Sequence, residues 1–263
     1  MIKITVAQFE INTNDVDKNL ENGLNAIWQA ALAGSSLIQL PELWLSGYDL
    51  QNCEKHSQIT IHYANQLQHL ADQYRLTIGG SYITAQNGNY YNSFLLFQPG
   101  RSTPAVYNKI HLFGLLEEDK YFKAGEELTT VELEWGKVGM AICYDLRFPE
   151  LARAYANHGI DCLLLPAQWG IRRSEHWRTL LKARAIENQI FIAASGAIGP
   201  LQNTHLAGYS AVLDPWGNIL AEAGPDEPAC LTVGIDLHEI IRVRQMLPSR
   251  KDQRRDLYRR WLD

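Results

Sequence analysis

The chain has 263 residues, of which 46% are hydrophobic and 20% charged, a balance typical of a globular protein and not of a disordered one. Its formal net charge of −5 argues against binding to a polyanion, so we expect no nucleic-acid partner. No apolar run approaches the length of a membrane span, so we expect no membrane partner either.

Cysteine and histidine are not spaced as metal ligands. The four cysteines form no CxxC pair, and the eight histidines include no HExxH motif. We therefore expect neither a bound metal nor a disulfide framework, and this cysteine usage fits a reducing cytoplasm.

Strand patterns alternate with helix patterns along the first part of the chain. Residues 2–8 alternate like a strand, and apolar side chains at helical spacing then predict a helix over Val16–Ala31 with Gly34 as its C-terminal cap. Residues 36–42 predict a short buried strand, and a weaker helical pattern covers about 59–74.

Hairpin turns and further buried strands follow. The turn signals lie at Asn87-Gly88, 134–137 and 214–218. The remaining elements are a strand at 160–166, a helix near 174–188 and a strand at 189–196. This blend predicts an α/β fold with large mixed sheets covered by helices, in a single domain over 1–263 with a C-terminal tail from about 247.

Cys143 lies in KVGMAICYDLRFPE, where a strand pattern gives way to a helix pattern. Val138 and Met140 alternate with small residues before it, and Leu151 and Tyr155 recur at helical spacing after it. A cysteine at such a junction lies where a helix N-terminus can stabilise a thiolate, the nucleophilic form. The alternative is a buried cysteine that packs as a small apolar side chain.

Two further strand ends carry side chains that a thiol nucleophile can use. Glu42 follows the apolar strand LIQL, and Lys109 ends the strand in VYNKIHLFG. A carboxylate can take the thiol proton, and a buried lysine can stabilise an oxyanion and lower the pKa of the thiol. Taken singly, Glu42 could instead cap a helix and Lys109 could be a surface charge.

These segments resemble the signatures of the nitrilase superfamily of carbon–nitrogen hydrolases. Glu42 follows LP in LPELWLSGY, Lys109 precedes IHLF, and Cys143 opens CYDLRFPE, in the order and at the separations of that family. The similarity extends to DPWGNIL at 214–220 and so covers nearly the whole chain. It implies a four-layer α-β-β-α sandwich and a reaction that needs no metal or organic cofactor.

The resemblance also implies roles for these residues. Glu42 corresponds to the general base, Lys109 to the group that stabilises the transition state, and Cys143 to the nucleophile. The backbone N–H of Tyr144 is expected to hold the oxyanion together with the lysine.

A second glutamate is implied by the same family pattern. Counting back from the YFKAG element selects Glu118, which would position substrate and support the lysine. The adjacent Glu117 stays an alternative, and both acids could lie in a solvated loop. A different assignment would pair the cysteine with His111 or His176.

Substrate contacts are expected on the loop that follows the strand at 160–166. The resemblance points to Gln168 and Trp169, although Trp169 could also pack under the loop. Arg172 and Arg173 could bind a substrate carboxylate through a bidentate contact, but they could equally be exposed or pair with an acid.

Two more side chains have expected positions near this pocket. Tyr48 is expected to line the pocket mouth from the opposite side. Arg147 is expected to pair with a carboxylate near the start of its helix and not to meet substrate.

The sequences of the segments CYDLRFPE and HWRTLLKARAIEN most resemble those of ω-amidases and related short-chain amidases. This implies hydrolysis of a small carboxylate-bearing amide such as α-ketoglutaramate, with ammonia released through a thioester intermediate. Hydrolysis of N-carbamoyl amines or of nitriles is the enzymatic alternative, and a catalytically idle binding member of the family is the non-enzymatic one.

The resemblance further implies a homodimer. The helices within 147–159 and 176–189 are the expected interface, although their apolar faces would also suit an ordinary core. The tail from about 247 is expected to reach across to the partner subunit.

Overall fold

The computed structural model describes residues 1–262. Its helices are α1 (Val16–Leu32), α2 (Cys53–Tyr74), α3 (Glu118–Tyr121), α4 (Pro149–Asn157), α5 (Ser174–Asn188), α6 (His238–Met246) and α7 (Arg255–Leu262). The strands are β1 (Ile2–Gln8), β2 (Leu37–Gln39), β3 (Thr77–Gln86), β4 (Asn89–Phe97), β5 (Ala105–Asn108), β6 (Thr130–Leu133), β7 (Gly136–Met140), β8 (Cys162–Ala167), β9 (Phe191–Gly196), β10 (Pro200–Leu201), β11 (Thr204–His205), β12 (Ala211–Leu213), β13 (Ile219–Glu222) and β14 (Ala229–Ile235).

Two six-stranded mixed sheets form the centre of the fold. The first has the strand order β14-β1-β2-β3-β4-β5 and the second has the order β13-β12-β9-β8-β7-β6. In each sheet three adjacent strands run parallel to one another. These are β1, β2 and β3 in the first sheet and β7, β8 and β9 in the second. Antiparallel strands extend both sheets on either side.

The apolar faces of the two sheets pack against each other. Ile4, Leu37 and Phe94 from the first sheet share one buried cluster with Met140 and Leu164 from the second. Helices α1 and α2 cover the outer face of the first sheet, and α4 and α5 cover that of the second. The result is the four-layer α-β-β-α sandwich that the sequence resemblance implied.

Most elements lie where the sequence pattern predicts them. Strand β1 and helix α1 begin as expected, and the β3–β4 hairpin turns at Asn87 and Gly88, which both have positive φ as a two-residue turn requires. The β6–β7 and β12–β13 hairpins are also confirmed. Within residues 1–262 no helix is both long and apolar enough to cross a membrane.

Helix α2 begins at Cys53, six residues before the expected start near 59. Its first two turns bury polar side chains that have hydrogen-bond partners. His56 contacts Asp49 at 2.8 Å, and the Thr60 hydroxyl donates to the Ile83 carbonyl at 2.8 Å. Polar residues at buried positions erase the apolar periodicity on which the prediction depends.

The C-terminal tail lies against helix α4 of the same chain. The Arg250 guanidinium donates to the Ala156 carbonyl, and that of Arg255 donates to the Asn157 side chain at 2.8 Å. Cations near these last carbonyls complement the helix dipole. The expectation that the tail reaches across to a partner subunit stays a prediction.

Candidate active site

Three chain segments reach the site from the ends of strands β2, β5 and β7. Glu42 follows β2, Lys109 directly follows β5, and Cys143 follows β7 as the first residue of a short 3₁₀ helix. The ends of β2 and β5 lie at one edge of the first sheet, and the packing of the two sheets brings the end of β7 from the second sheet beside them.

The backbone is strained at two of these segments. Cys143 has a φ of +46°, and Leu43, which follows Glu42, has a φ of +43°. The left-handed conformation costs a residue with a Cβ about 1–3 kcal/mol, and it persists only where the surroundings enforce it. At Leu43 the N–H donates to the buried Ser81 hydroxyl at 2.8 Å, which fixes the turn that carries Glu42.

Glu42, Lys109 and Glu118 form a buried charged cluster. Lys109 Nζ lies 2.8 Å from Glu42 Oε1 and 2.8 Å from Glu118 Oε2, and no more than 1% of any of the three residues is exposed. Glu117 is exposed and instead contacts Lys120 at 2.6 Å. Of the two adjacent acids, the structure therefore brings Glu118 to the lysine.

Burial and charge together set the protonation of this cluster. Burial lowers the pKa of Lys109, but the charges of Glu118 and Glu42 raise it by more, so the pKa lies above its ordinary value. Burial raises the pKa of Glu118, and the neighbouring ammonium only partly opposes this. The lysine is therefore an ammonium that faces two carboxyl groups.

The thiol of Cys143 is buried beside this cluster. Burial raises its pKa well above the ordinary value, the Glu42 carboxylate raises the pKa further, and Lys109 opposes both. The sequence suggested that a helix N-terminus and a lysine would favour the thiolate. In the folded protein desolvation outweighs them, so the resting thiol is neutral and its ionisation needs a base.

Two neutral donors bridge the carboxylates of Glu42 and Glu118. The Tyr48 hydroxyl lies 3.0 Å from Glu42 Oε1 and 3.1 Å from Glu118 Oε1. Asn92 Nδ2 lies 2.9 Å and 3.2 Å from the same two oxygens. The sequence predicted Tyr48 at the pocket mouth, but it is buried inside the charged cluster, and no sequence motif indicated Asn92.

Gln168 connects the glutamate to the cysteine. Its backbone N–H donates to Glu42 Oε2 at 2.8 Å, its side-chain amide donates to the Glu42 carbonyl at 2.8 Å, and its own carbonyl lies 3.9 Å from Cys143 Sγ. The Gln168 side chain, expected to bind substrate, is therefore occupied in holding Glu42.

A small pocket opens over Cys143. It encloses about 240 Å³ including its mouth, and its lining residues are Phe113, Cys143, Tyr144, Arg147, Gln168, Trp169 and Arg173. Tyr144 lies in the first turn of the 3₁₀ helix, where backbone N–H groups lack partners within the helix.

Two arginines lie on aromatic walls of the pocket. Arg147 stands 4.7 Å from the centre of the Trp169 ring, and Arg173 stands 5.4 Å from that of Phe113. Within residues 1–262 Arg147 forms no ion pair, so the expectation of a carboxylate partner was wrong. Arg172 is exposed and lies outside the pocket lining.

A model of the carbon–nitrogen hydrolase family matches residues 3–245. The chain belongs to the carbon–nitrogen hydrolase family. The 2-oxoglutaramate amidase of Bacillus subtilis (strain 168) is 36% identical over 257 residues, which are 97% of this chain and 98% of that protein. Omega-amidase NIT2 of Mus musculus is 32% identical over 267 residues, covering 97% of this chain and 96% of the relative.

A solved structure with the same fold contains a modified cysteine. It is a mutant of the amidase from Nesterenkonia sp. AN1, with the acetamide moiety of fluoroacetamide covalently added at its active-site cysteine. The two chains share 25% identity and a TM-score of 0.86, with 99% of this chain and 97% of the other covered.

In this carbon–nitrogen hydrolase, His111 has a partner other than the thiol. Asp145 Oδ1 lies 2.7 Å from His111 Nδ1 and accepts the His111 N–H at 3.0 Å, while the ring stacks on Phe148 at 3.6 Å. His111 thereby joins the lysine segment to the cysteine segment. His176 is exposed and lies 3.4 Å from the Arg147 guanidinium. Within residues 1–262 no group of His, Cys, Asp and Glu side chains could hold a metal ion.

Proposed function

We propose that this protein is an amidase that hydrolyses a small carboxylate-bearing amide through a thioester on Cys143. The main support is the buried cluster in which Lys109 bridges Glu42 and Glu118 at 2.8 Å beside a neutral thiol. Such a cluster supplies the base and the cation that a neutral thiol needs in order to attack an amide.

The hydrogen bonds support Glu42 and not Glu118 as the base. Glu42 Oε1 already has three donors, from Tyr48, Asn92 and Lys109, whereas Oε2 has one, from the Gln168 backbone. Both oxygens of Glu118 are occupied, because Oε2 accepts from the Phe113 N–H at 2.7 Å and contacts Lys109. Glu42 Oε2 therefore keeps room for a proton.

The first half of the reaction forms the thioester. The proton of the Cys143 thiol passes to Glu42 Oε2 as Sγ bonds to the amide carbon, and the carbonyl oxygen takes the negative charge. Lys109 and the Tyr144 N–H stabilise that oxyanion. The C–N bond then breaks, and Glu42 returns its proton to the leaving nitrogen, which departs as ammonia.

The second half releases the acid. Glu42 takes a proton from water as the water oxygen attacks the thioester carbon, and the second oxyanion contacts the same donors. The C–S bond breaks, the thiol regains the proton, and the carboxylic acid leaves. No oxidant, metal or organic cofactor takes part in these steps.

The two pocket arginines support a carboxylate on the substrate. Arg147 has no ion-pair partner within residues 1–262, and Arg173 lines the same pocket. Because the similar proteins include a 2-oxoglutaramate amidase and an omega-amidase, we take 2-oxoglutaramate as the first substrate to test.

A substrate screen tests this function. Ammonia release is measured from 2-oxoglutaramate, from propionamide, from an N-carbamoyl amino acid and from a nitrile, with Cys143→Ala as the control. We expect 2-oxoglutaramate to give the highest kcat/KM and the control to give no turnover. A higher kcat/KM for the N-carbamoyl compound or for the nitrile would contradict the amidase assignment. Equal turnover by Cys143→Ala would exclude Cys143 as the nucleophile.

We also propose that the chain forms a single domain and a homodimer that pairs through α4 and α5. Exposed apolar side chains support such a surface, since Ile186 on α5 is 52% exposed and lies near the β12–β13 turn, where Trp216 is 39% exposed. Light scattering of the full chain distinguishes a dimer from a monomer. The cytoplasmic location stays a prediction from the cysteine usage.

A further inference from the structure

Asn92 lies in the middle of the charged cluster, yet no motif of the sequence points to it. It belongs to strand β4 and is 1% exposed. Its Nδ2 atom contacts one oxygen of each glutamate, at 2.9 Å for Glu42 and 3.2 Å for Glu118. A neutral amide between two carboxyl groups can donate to both without changing the charge of the site.

We propose that Asn92 is a positioning residue that holds Glu42 and Glu118 in place while Lys109 turns toward the oxyanion. This rests on the proposed amidase mechanism, in which the ammonium contacts a new negative charge during the reaction. Whatever hydrogen Lys109 directs to the oxyanion is no longer available to a carboxylate.

Counting hydrogens shows why an amide suits this task. Tyr48 has one hydroxyl hydrogen for two carboxylate oxygens, whereas the Asn92 amide has two hydrogens and can give one to each oxygen at the same time. With Asn92 in place, Glu42 stays anchored through Oε1 throughout the reaction, while Oε2 keeps its contact with the Gln168 N–H.

The carbonyl oxygen of the Asn92 side chain indicates that the two hydrogen bonds to the glutamates are kept at a cost in stability. Within residues 1–262, Asn92 Oδ1 is buried and accepts no hydrogen bond. A buried unpaired acceptor is destabilising, and such atoms in native proteins often have a functional reason. Turning the amide over would place Oδ1 against two carboxylates, so the donor side is held toward them.

The test compares Asn92→Leu, which removes both donors at similar size, with Asn92→Asp, which replaces them with a third carboxyl group. Ser93→Ala is the matched control, because Ser93 is buried on the same strand but contacts Asn108 and Thr84 and not the glutamates. Thermal melting of all variants confirms that each is folded.

Two rates are measured from pH 5 to 9: 2-oxoglutaramate hydrolysis, and alkylation of Cys143 by iodoacetamide followed by mass spectrometry. Asn92 contacts Glu42 and Glu118, and the other charged and titratable groups around these two glutamates are Lys109, Tyr48 and Cys143. For Asn92→Leu we expect kcat to fall about 10- to 100-fold with KM little changed, and the acid limb of both profiles to move to higher pH. Asn92→Asp should lose more at neutral pH.

The proposal is overturned if Asn92→Leu keeps both rates and its acid limb, or if Ser93→Ala loses as much as Asn92→Leu. Failure of the proposed function is a separate result. In that case the wild-type protein does not hydrolyse the amide, whereas the alkylation profile still reports whether Asn92 positions the base.

Discussion

Replacing Lys109 with methionine tests whether the buried ammonium holds two carboxyl groups in the fold. Lys109→Met keeps most of the side-chain volume but removes the charge that lies 2.8 Å from both Glu42 and Glu118. Removing one partner of a buried ion pair leaves uncompensated charge and costs about 3–5 kcal/mol. For a chain of this length we expect the melting temperature to fall by roughly 10 °C at neutral pH.

The loss should depend on pH with a definite sign. The pKa of Glu118 is already raised by burial, and Lys109 is what restrains it. Without the ammonium the folded-state pKa rises further above the unfolded value. Folding then takes up a proton, so the stability of Lys109→Met is highest at low pH and is lost as pH rises through the folded pKa.

Melting temperatures of both proteins are measured from pH 5 to 8. Lys120→Met is the matched control, since this lysine is 63% exposed and pairs with Glu117, and we expect it to change stability by less than about 1 kcal/mol. The double variant Lys109→Met with Glu118→Gln should recover part of the loss, because one carboxylate is gone. If Lys109→Met melts within 2 °C of the wild type at pH 7.5, or becomes more stable as pH rises, the electrostatic reasoning is wrong.

Three further changes test other parts of the site. Glu42→Gln should slow iodoacetamide alkylation of Cys143 about 100-fold at pH 7 and make it rise steadily toward high pH, because the thiol must then ionise unaided; an unchanged profile would exclude Glu42 as the base. Gly125→Ala would place a Cβ 2.1 Å from the Asn108 carbonyl, next to the lysine, so kcat should fall about 100-fold while the protein stays folded by circular dichroism. Arg173→Ala should raise KM for 2-oxoglutaramate about 10- to 100-fold but leave propionamide unaffected, and an equal effect on both amides would argue against a carboxylate contact.

The three motif residues could be found from the sequence because each lies within a short, distinctive segment. Cys143, Glu42 and Lys109 each follow a strand that the sequence pattern predicts, and active-site residues of such sheets lie at strand ends. Choosing Glu118 over Glu117 depended on a count from a neighbouring element, and only the structure shows which acid meets the lysine.

Asn92 and Arg147 could not be placed this way, for different physical reasons. Asn92 reaches the lysine segment through the register of the β4–β5 hairpin, where Ser93 pairs with Asn108 and the Asn92 carbonyl accepts the Lys109 N–H. The intervening loop at 98–104 leaves that register open in the sequence. Arg147 was expected to pair with a carboxylate, but it lies on the Trp169 ring. This contact joins two segments that are distant in sequence, so no local pattern predicts it.

The proposed base and the proposed nucleophile belong to different sheets. Glu42 follows a strand of the first sheet, whereas Cys143 and Gln168 follow strands of the second, and the Gln168 N–H reaches Glu42 across the gap. The spacing between them is therefore set by the apolar layer that separates the sheets. A cavity made deep in that layer, such as Leu164→Ala, would let the sheets shift and slow the reaction although every pocket side chain is intact. The rate of hydrolysis therefore depends on how the core between the two sheets is packed. Among variants selected for activity, we expect substitutions that restore the distance between the sheets as often as substitutions in the pocket.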